Sequence, residues 1–476
     1  MSNAKSETAN TVRSNRSLPP PPHALIDFMA SGWLDAPRDV SVHPQIARFR
    51  SRREALSRAF PGEYLLVDSG CEPMRSGGAA FRFRASSDFA YLAGPSEPGA
   101  LLVLEPEGSS HRSRLFVPEY SRDKAEIFRT GRLYSELWVG RRRSVAESQH
   151  YYGVEACEPL SRLKPYLESL KAAGHSLRLT GENTQLTAYF ELDSDLATCL
   201  SEMRLIKDDY ERSELRKAVE ITKRGFEDAI RVLRHAKTER AIEGAFDARA
   251  RIEANGTGWL TSAAAGEHTW ALNWTRNDGE LRSGDLLLLD ACGEGDSLYC
   301  ADVARTLPIS GKFSAEQRAV YEIVHEALRV AIEVVRPGNA FLEPHTRAMR
   351  VLSEGLIELG ILKCSLDEAL DPERQYYRRY TLHNVSHMIG LDVVDCVKAR
   401  VESYRHLREG MVLAVEPGLY LQSDDGTVPE RFRGIGIRLE DDVAVTADGC
   451  DNYSAILPAH PDVVERWIAE LQGTEG

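Results

Sequence analysis

The chain lacks any apolar run long enough to cross a bilayer. Its longest pure stretch near the centre, Leu286–Leu289, is strand-length, whereas a span needs about 18 residues. The N-terminus is polar with scattered basic residues and has no apolar core of the roughly 7–15 residues found in secretory signals. A soluble, cytoplasmic protein with no membrane partner is expected. Cysteine is scarce: eight are scattered over 476 residues with no close C-x-x-C pair, so reduced thiols without a function are expected. Positive charge is also short. Lys and Arg number 59 against 72 Asp and Glu, for a net −13, a field that repels nucleic-acid phosphates. The basic clusters Arg50–Arg53 and Arg141–Arg143 are too short to reverse this and are expected as solvated surface. No internal repeat of about 20–50 residues occurs.

What is present is an ordinary globular balance, 42% hydrophobic and 28% charged, in a length that suggests two or three domains. Residues 1–23 end in Pro19–Pro22 and form an expected disordered, Pro-rich tail. Over 24–200, helix-like His43–Phe60 precedes the strand candidates Tyr64–Val67, Leu101–Leu104 and Leu115–Val117, an α/β pattern. A helical stretch at Met203–His235 opens the second domain, 201–464. Further helices are expected from Ser314, with Gln317 completing a capping box, and over Pro344–Leu359. Hairpin-rich sequence between them predicts an antiparallel, curved sheet backed by helices, so the fold class is α+β. Residues 465–476 are expected as a C-terminal tail.

Five segments of the second domain place charged residues where strands predict burial. Leu286-Leu287-Leu288-Leu289-Asp290 ends in a carboxylate. Asp302 follows on a segment, Tyr299–Thr306, placed to return antiparallel through the turn Gly293–Asp296. His383 and His387 lie in His383-Asn384-Val385-Ser386-His387. Alternation puts Glu416 on the face of Val412 and Ala414, and puts Gly436, Arg438 and Glu440 on one face of a fifth strand. One such Asp alone is usually a turn or cap residue. Four carboxylates in apolar strands need partners together. Two divalent cations balance their four charges, with His387 as a neutral nitrogen ligand, and an oxygen-rich set with one imidazole suits Mn²⁺. Two such ions hold a bridging water, lower its pKa and polarise a carbonyl.

The order Asp, Asp, His, Glu, Glu with these flanks resembles the pita-bread metallopeptidases, specifically their Xaa-Pro aminopeptidase (aminopeptidase P) and prolidase branch. The matching segments are LLLLDA, ADVARTLPISGKF, HNVSHMIGLDVVD, GMVLAVEPGLY and RFRGIGIRLEDD. FRFRASSDFAYLAG, at 81–94, resembles that family's N-terminal, creatinase-like domain. The resemblance implies the metal ligands Asp290, Asp302, His387, Glu416 and Glu440. It implies Glu416 as proton shuttle, His383 against the proline after the scissile bond, and Arg438 orienting carboxylate ligands. It also implies a homodimer or homotetramer.

Two departures stand out. The family's histidine seven residues after the ligand histidine is Val394 here, and its leucine-histidine-aromatic triplet is Leu272-Asn273-Trp274. The family's histidines contact substrate and help stabilise the tetrahedral intermediate. Valine forms no hydrogen bond, and asparagine does not titrate near neutrality. The spacing between the aspartates is also one residue longer than the common eleven. The expected function is removal of the N-terminal residue from peptides with proline second, by a hydroxide bridging two metal ions, with His383, Asn273, Trp274 and Val394 at the substrate. The alternatives are a repurposed paralogue acting on another small substrate, or a metal-binding protein with little turnover.

Overall fold

The computed structural model describes residues 21–33, 40–77, 79–118, 136–181, 185–188 and 190–473. Its two compact units do not follow sequence order. One comprises 1–84, 96–178 and 182–188; the other comprises 85–95, 179–181 and 189–476. Ala85–Pro95 and Leu179–Gly181 group with the second unit. The physical reason is burial. The helix Ser87–Ala93, capped by the Ser86 side chain, buries Phe89, Tyr91 and Leu92, and the Tyr91 hydroxyl donates to the Met203 carbonyl at 3.1 Å.

A five-stranded sheet runs in the order Ala156–Pro159, Ser110–Val117, Leu101–Glu107, Tyr64–Asp68, Leu177–Thr180. It contains the three predicted strands, each longer than expected. Leu101–Glu107 pairs antiparallel on both sides, while Ser110–Val117 pairs parallel with Ala156–Pro159. The helix Ile46–Ala59 corrects one expectation: Arg52 and Arg53 are buried, not solvated. Arg53 donates to the Gly153 carbonyl at 3.4 Å, and burial lowers its pKa to about 10.

In the second unit the helical stretch predicted over Met203–His235 is mostly the helix Asp209–Leu233, while Met203 and Arg204 end a separate helix, Ser194–Arg204. Asp208 forces the restart: its side chain caps the Glu211 amide while the Glu211 side chain reaches back, a reciprocal arrangement that satisfies two otherwise orphaned amides. The Ser314–Gln317 capping box forms as expected at the head of Ala315–Glu333. This helix and Glu343–Glu358 bury Val320, Val324, Ala327 and Leu352 in one core with Leu413, Val415, Ile437 and Val443.

Three antiparallel arrays position the charged segments. One sheet has the order Val303–Pro308, Leu286–Ala291, Ser262–Ala265; another has Ser386–Met388, Val412–Val415, Asp441–Val445, Cys450–Asn452; Gly418–Leu421 pairs with Ile435–Arg438. The predicted hairpin holds, with Asp290 opposite Ala304. His387 faces Ala414, and Gly418 faces Arg438. The C-terminal tail expected at 465–476 is instead largely helix: Pro461–Gly473 buries Val464, Trp467 and Ile468. Residues 1–20 of the expected N-terminal tail, and residues 474–476, lie outside the described residues. Among the described residues no helix is long and apolar enough to cross a membrane.

Candidate metal centre

Asp302, His387 and Glu440 converge from three separate segments, each offering a ligand atom within 4.8 Å of the others. Strand pairing explains the convergence. Val415 pairs with Asp441 while Ser386 pairs with Val415, so His387, Glu416 and Glu440 are brought to one end of a sheet. The Glu440 amide donates to the Ala304 carbonyl at 3.0 Å, which brings in the Asp302 segment. His387 Nε2 lies 3.5 Å from Asp302 Oδ2 and 3.7 Å from Glu416 Oε1.

Asp290 stands outside that tight trio. Its Oδ2 is ion-paired with the Arg438 guanidinium. Arg438 Nη1 also donates to the Tyr420 hydroxyl at 3.1 Å and to the Leu272 carbonyl at 3.2 Å. Tyr420 bonds His383 Nε2 at 2.8 Å, and His383 Nδ1 lies 3.4 Å from Glu416 Oε2. A continuous chain of polar contacts therefore runs Asp290, Arg438, Tyr420, His383, Glu416.

The electrostatics show excess negative charge in a dry site. Burial, then the carboxylates of Asp302 and Glu416, push Glu440 well above the usual carboxylate range. Burial raises Glu416 to about 8, with His387 opposing and Asp302 adding. Burial alone would lower His387, but its contact with Asp302 and the charge of Glu416 raise it to about 9. Burial lowers His383. Asp290 Oδ1 and Asp302 Oδ1 are both buried without a hydrogen-bond partner, and such oxygens are costly unless a cation or donor meets them. The donor set fits divalent cations.

The remaining expected residues fall differently. Asn273 is exposed, and so is Val394 at 50%; neither joins the polar chain. Trp274 has a structural engagement: its indole N–H donates to Glu239 Oε2 at 2.8 Å, and its ring stacks on His268 at 3.8 Å. Fully buried Glu239 also accepts from the amides of Ala265 and Gly279, each at 2.7 Å. Sequence reasoning missed Tyr420 and Asp442. Asp442 is buried and accepts the Asp302 amide at 3.0 Å. The one available signal was its place in an acidic run, Glu440-Asp441-Asp442, inside strand sequence; Tyr420 reads as an ordinary alternating aromatic.

Fold and site together define a pita-bread metallopeptidase. The family model for Metallopeptidase family M24 matches residues 213–447, and that for Aminopeptidase P, N-terminal domain, matches 49–178. Xaa-Pro aminopeptidase 1 of Streptomyces coelicolor is 45% identical over 474 residues, covering 97% of this chain and 95% of the relative. Xaa-Pro aminopeptidase of Escherichia coli is 34% identical, covering 88% of this chain and 96% of its own length. A solved structure of E. coli aminopeptidase P with the inhibitor Pro-Leu superposes with a TM-score of 0.81 at 31% identity, covering 90% of this chain and 100% of that one. The chain belongs to the aminopeptidase P branch of metallopeptidase family M24. It is a metal-dependent aminopeptidase.

Proposed function

We propose that this enzyme releases the N-terminal residue from peptides with proline in the second position, and that Asp290, Asp302, His387, Glu416 and Glu440 hold two divalent ions, Mn²⁺ by the oxygen-rich character of the set. The observation that carries the reading is the convergence of Asp302, His387 and Glu440 beside the orphaned oxygens of Asp290 and Asp302. The bound ions would supply Lewis-acid polarisation of the scissile carbonyl and acidification of water.

The chain's own residues do the rest. Glu416, 3.4 Å from His383 Nδ1 and 3.7 Å from His387 Nε2, accepts a proton from water and returns it to the leaving nitrogen. His383, kept neutral by burial and held by the Tyr420 hydroxyl, presents its ring to the substrate's proline. Arg438 orients Asp290. Trp274 offers the substrate a ring edge at most, because Glu239 already takes its N–H. Val394 offers the developing oxyanion no donor, and Asn273 offers one that does not titrate, which slows turnover without removing the metal set. A homo-oligomer with a cytoplasmic location accompanies this reading.

The test is release of the N-terminal residue from a panel of Xaa-Pro peptides by Mn²⁺-loaded protein, with Asp290→Ala as control. Cleavage that depends on Asp290 is the expected result. No cleavage by folded protein carrying two metals per chain would sink the proline-directed reading. It would turn attention to the repurposed-substrate alternative that Asn273 and Val394 favour.

A further inference from the structure

The loop that follows His387 is anchored by charges that no step of the proposed reaction uses. Asp395, with its side chain only 1% exposed, receives Arg204 Nε on Oδ1 at 3.1 Å and Lys207 Nζ on Oδ2 at 3.2 Å. The Cys396 amide donates to the same Oδ1 at 2.8 Å. Lys207 is fully buried. Arg204 also ion-pairs with Asp88 and lies 3.5 Å from Asp392 Oδ2. Asp88 is fixed in turn by the Thr180 hydroxyl at 2.8 Å. Buried ion networks of this kind are poor stabilisers compared with apolar side chains of similar volume. What they provide well is a fixed position.

The loop has two ties, each next to a residue of the metal trio. The Asp395 amide donates to the Met388 carbonyl at 2.8 Å, one residue from His387. The Gly390 carbonyl accepts the Cys300 amide at 3.1 Å and the Cys300 thiol at 3.6 Å, two residues before Asp302. Gly390 is required for this closeness: a Cβ there would lie 2.1 Å from Asp395 Oδ2 and 3.0 Å from Lys207 Cε. Residues 388–396 therefore form a splint between the segments carrying His387 and Asp302, and Asp395 is where the splint is bolted down.

We propose that Arg204 and Lys207 are positioning residues of the metal centre. Acting through Asp395 and this loop, they set the placement of His387 relative to Asp302 and thereby the affinity for metal. The inference rests on the assignment of His387 and Asp302 as ligands. Partners that orient ligands from outside the metal's own shell are worth about 10–100-fold in affinity.

The experiment is calorimetric titration of the chelator-stripped full chain with Mn²⁺ alone, for wild type, His387→Ala, Lys207→Met and Arg204→Lys. Melting of each metal-free variant is measured alongside. Arg204→Lys keeps the charge but loses the fork that reaches three carboxylates. Both positioning variants are expected to bind Mn²⁺ about 10–100-fold more weakly than wild type. A folded variant that melts lower when metal-free, yet keeps the wild-type Mn²⁺ affinity, overturns the proposal in favour of plain structural support. If neither variant folds, Asp392→Asn at the half-exposed edge of the network decides: weakened Mn²⁺ binding supports the proposal and unchanged binding overturns it. Wild type that takes up no Mn²⁺, or His387→Ala that binds as wild type does, refutes the ligand assignment instead, so the two failures are distinguishable.

Discussion

Tyr420 illustrates how one side chain serves two neighbours. Its hydroxyl accepts from Arg438 and meets His383, so Tyr420→Phe frees both. Hydrogen bonds to charged groups are worth about 1.5–3 kcal/mol, and steady-state kinetics on an Xaa-Pro peptide should show kcat lowered roughly 10–100-fold. A kcat within twofold of wild type would show that Arg438 and His383 hold their places unaided. Val394 allows the opposite change. An oxyanion donor is typically worth about 10²–10³ in rate, and Val394→His should raise kcat by at least about tenfold with little change in the Mn²⁺ requirement. No gain would mean that position 394, half exposed in this protein, does not face the reacting carbonyl. The carboxylates of Asp302 and Glu440, which meet His387, stood out because charge in apolar strand sequence is conspicuous. Tyr420 and Asp442 did not, since an alternating aromatic and one more acid in an acidic run carry no periodicity cue. The engagement of Trp274 with Glu239 was equally hidden, because the two residues meet only through the fold.

Among the elements, the Ile435–Arg438 strand depends on an absent side chain. A Cβ on Gly436 would sit 2.1 Å from the Thr269 carbonyl oxygen, which belongs to the 3₁₀ turn Gly266–Trp270. The Thr269 hydroxyl also receives the Gly436 amide at 3.0 Å. Backbone cannot swing aside as a side chain can, and forced overpacking typically costs about 1–3 kcal/mol. Gly436→Ala should lower the melting temperature measurably and, by displacing Arg438 two residues on, reduce activity further than stability alone explains. A melting curve and kcat indistinguishable from wild type would refute the close approach. Most elements were readable from the sequence: the Asp290 hairpin and the Ser314 capping box follow from local chemistry. The break between the helices Ser194–Arg204 and Asp209–Leu233 was not, because apolar spacing runs on through it while the Asp208 cap restarts the backbone. The burial of Arg52 and Arg53 also escaped, since charge alone reads as surface.

For the whole molecule, metal and protons compete for one site. In metal-free protein the folded value of His387 is raised from 6.5 to about 9, so its contribution is present below pH 6.5 and lost as the pH rises toward 9. Glu416 is raised from 4.5 to about 8, so the folded chain holds that proton more tightly and stability falls as the pH rises through the same direction. The signs agree. Chelator-treated protein should melt at progressively lower temperature as the pH is raised from about 5 to 9, while Mn²⁺-loaded protein loses less. Bound metal at a hundredfold excess over Kd adds about 2.7 kcal/mol. A gap between the two melting curves that narrows with rising pH would contradict the shared site. The sequence order of the domains was a poor guide here: α+β character and two units were readable, but nothing local in 85–95 declares which unit will bury it. That interleaving has a consequence for synthesis. The helix Ser87–Ala93 leaves the ribosome 116 residues before Arg204, the partner of its Asp88, and Arg204 precedes Asp395 by a further 191. At about 5–20 residues per second, Asp88 waits roughly 15–60 seconds before Asp395, which shares Arg204 with it, exists. The second unit closes around a piece made long before it, so its folding is timed by the end of translation rather than by its own length.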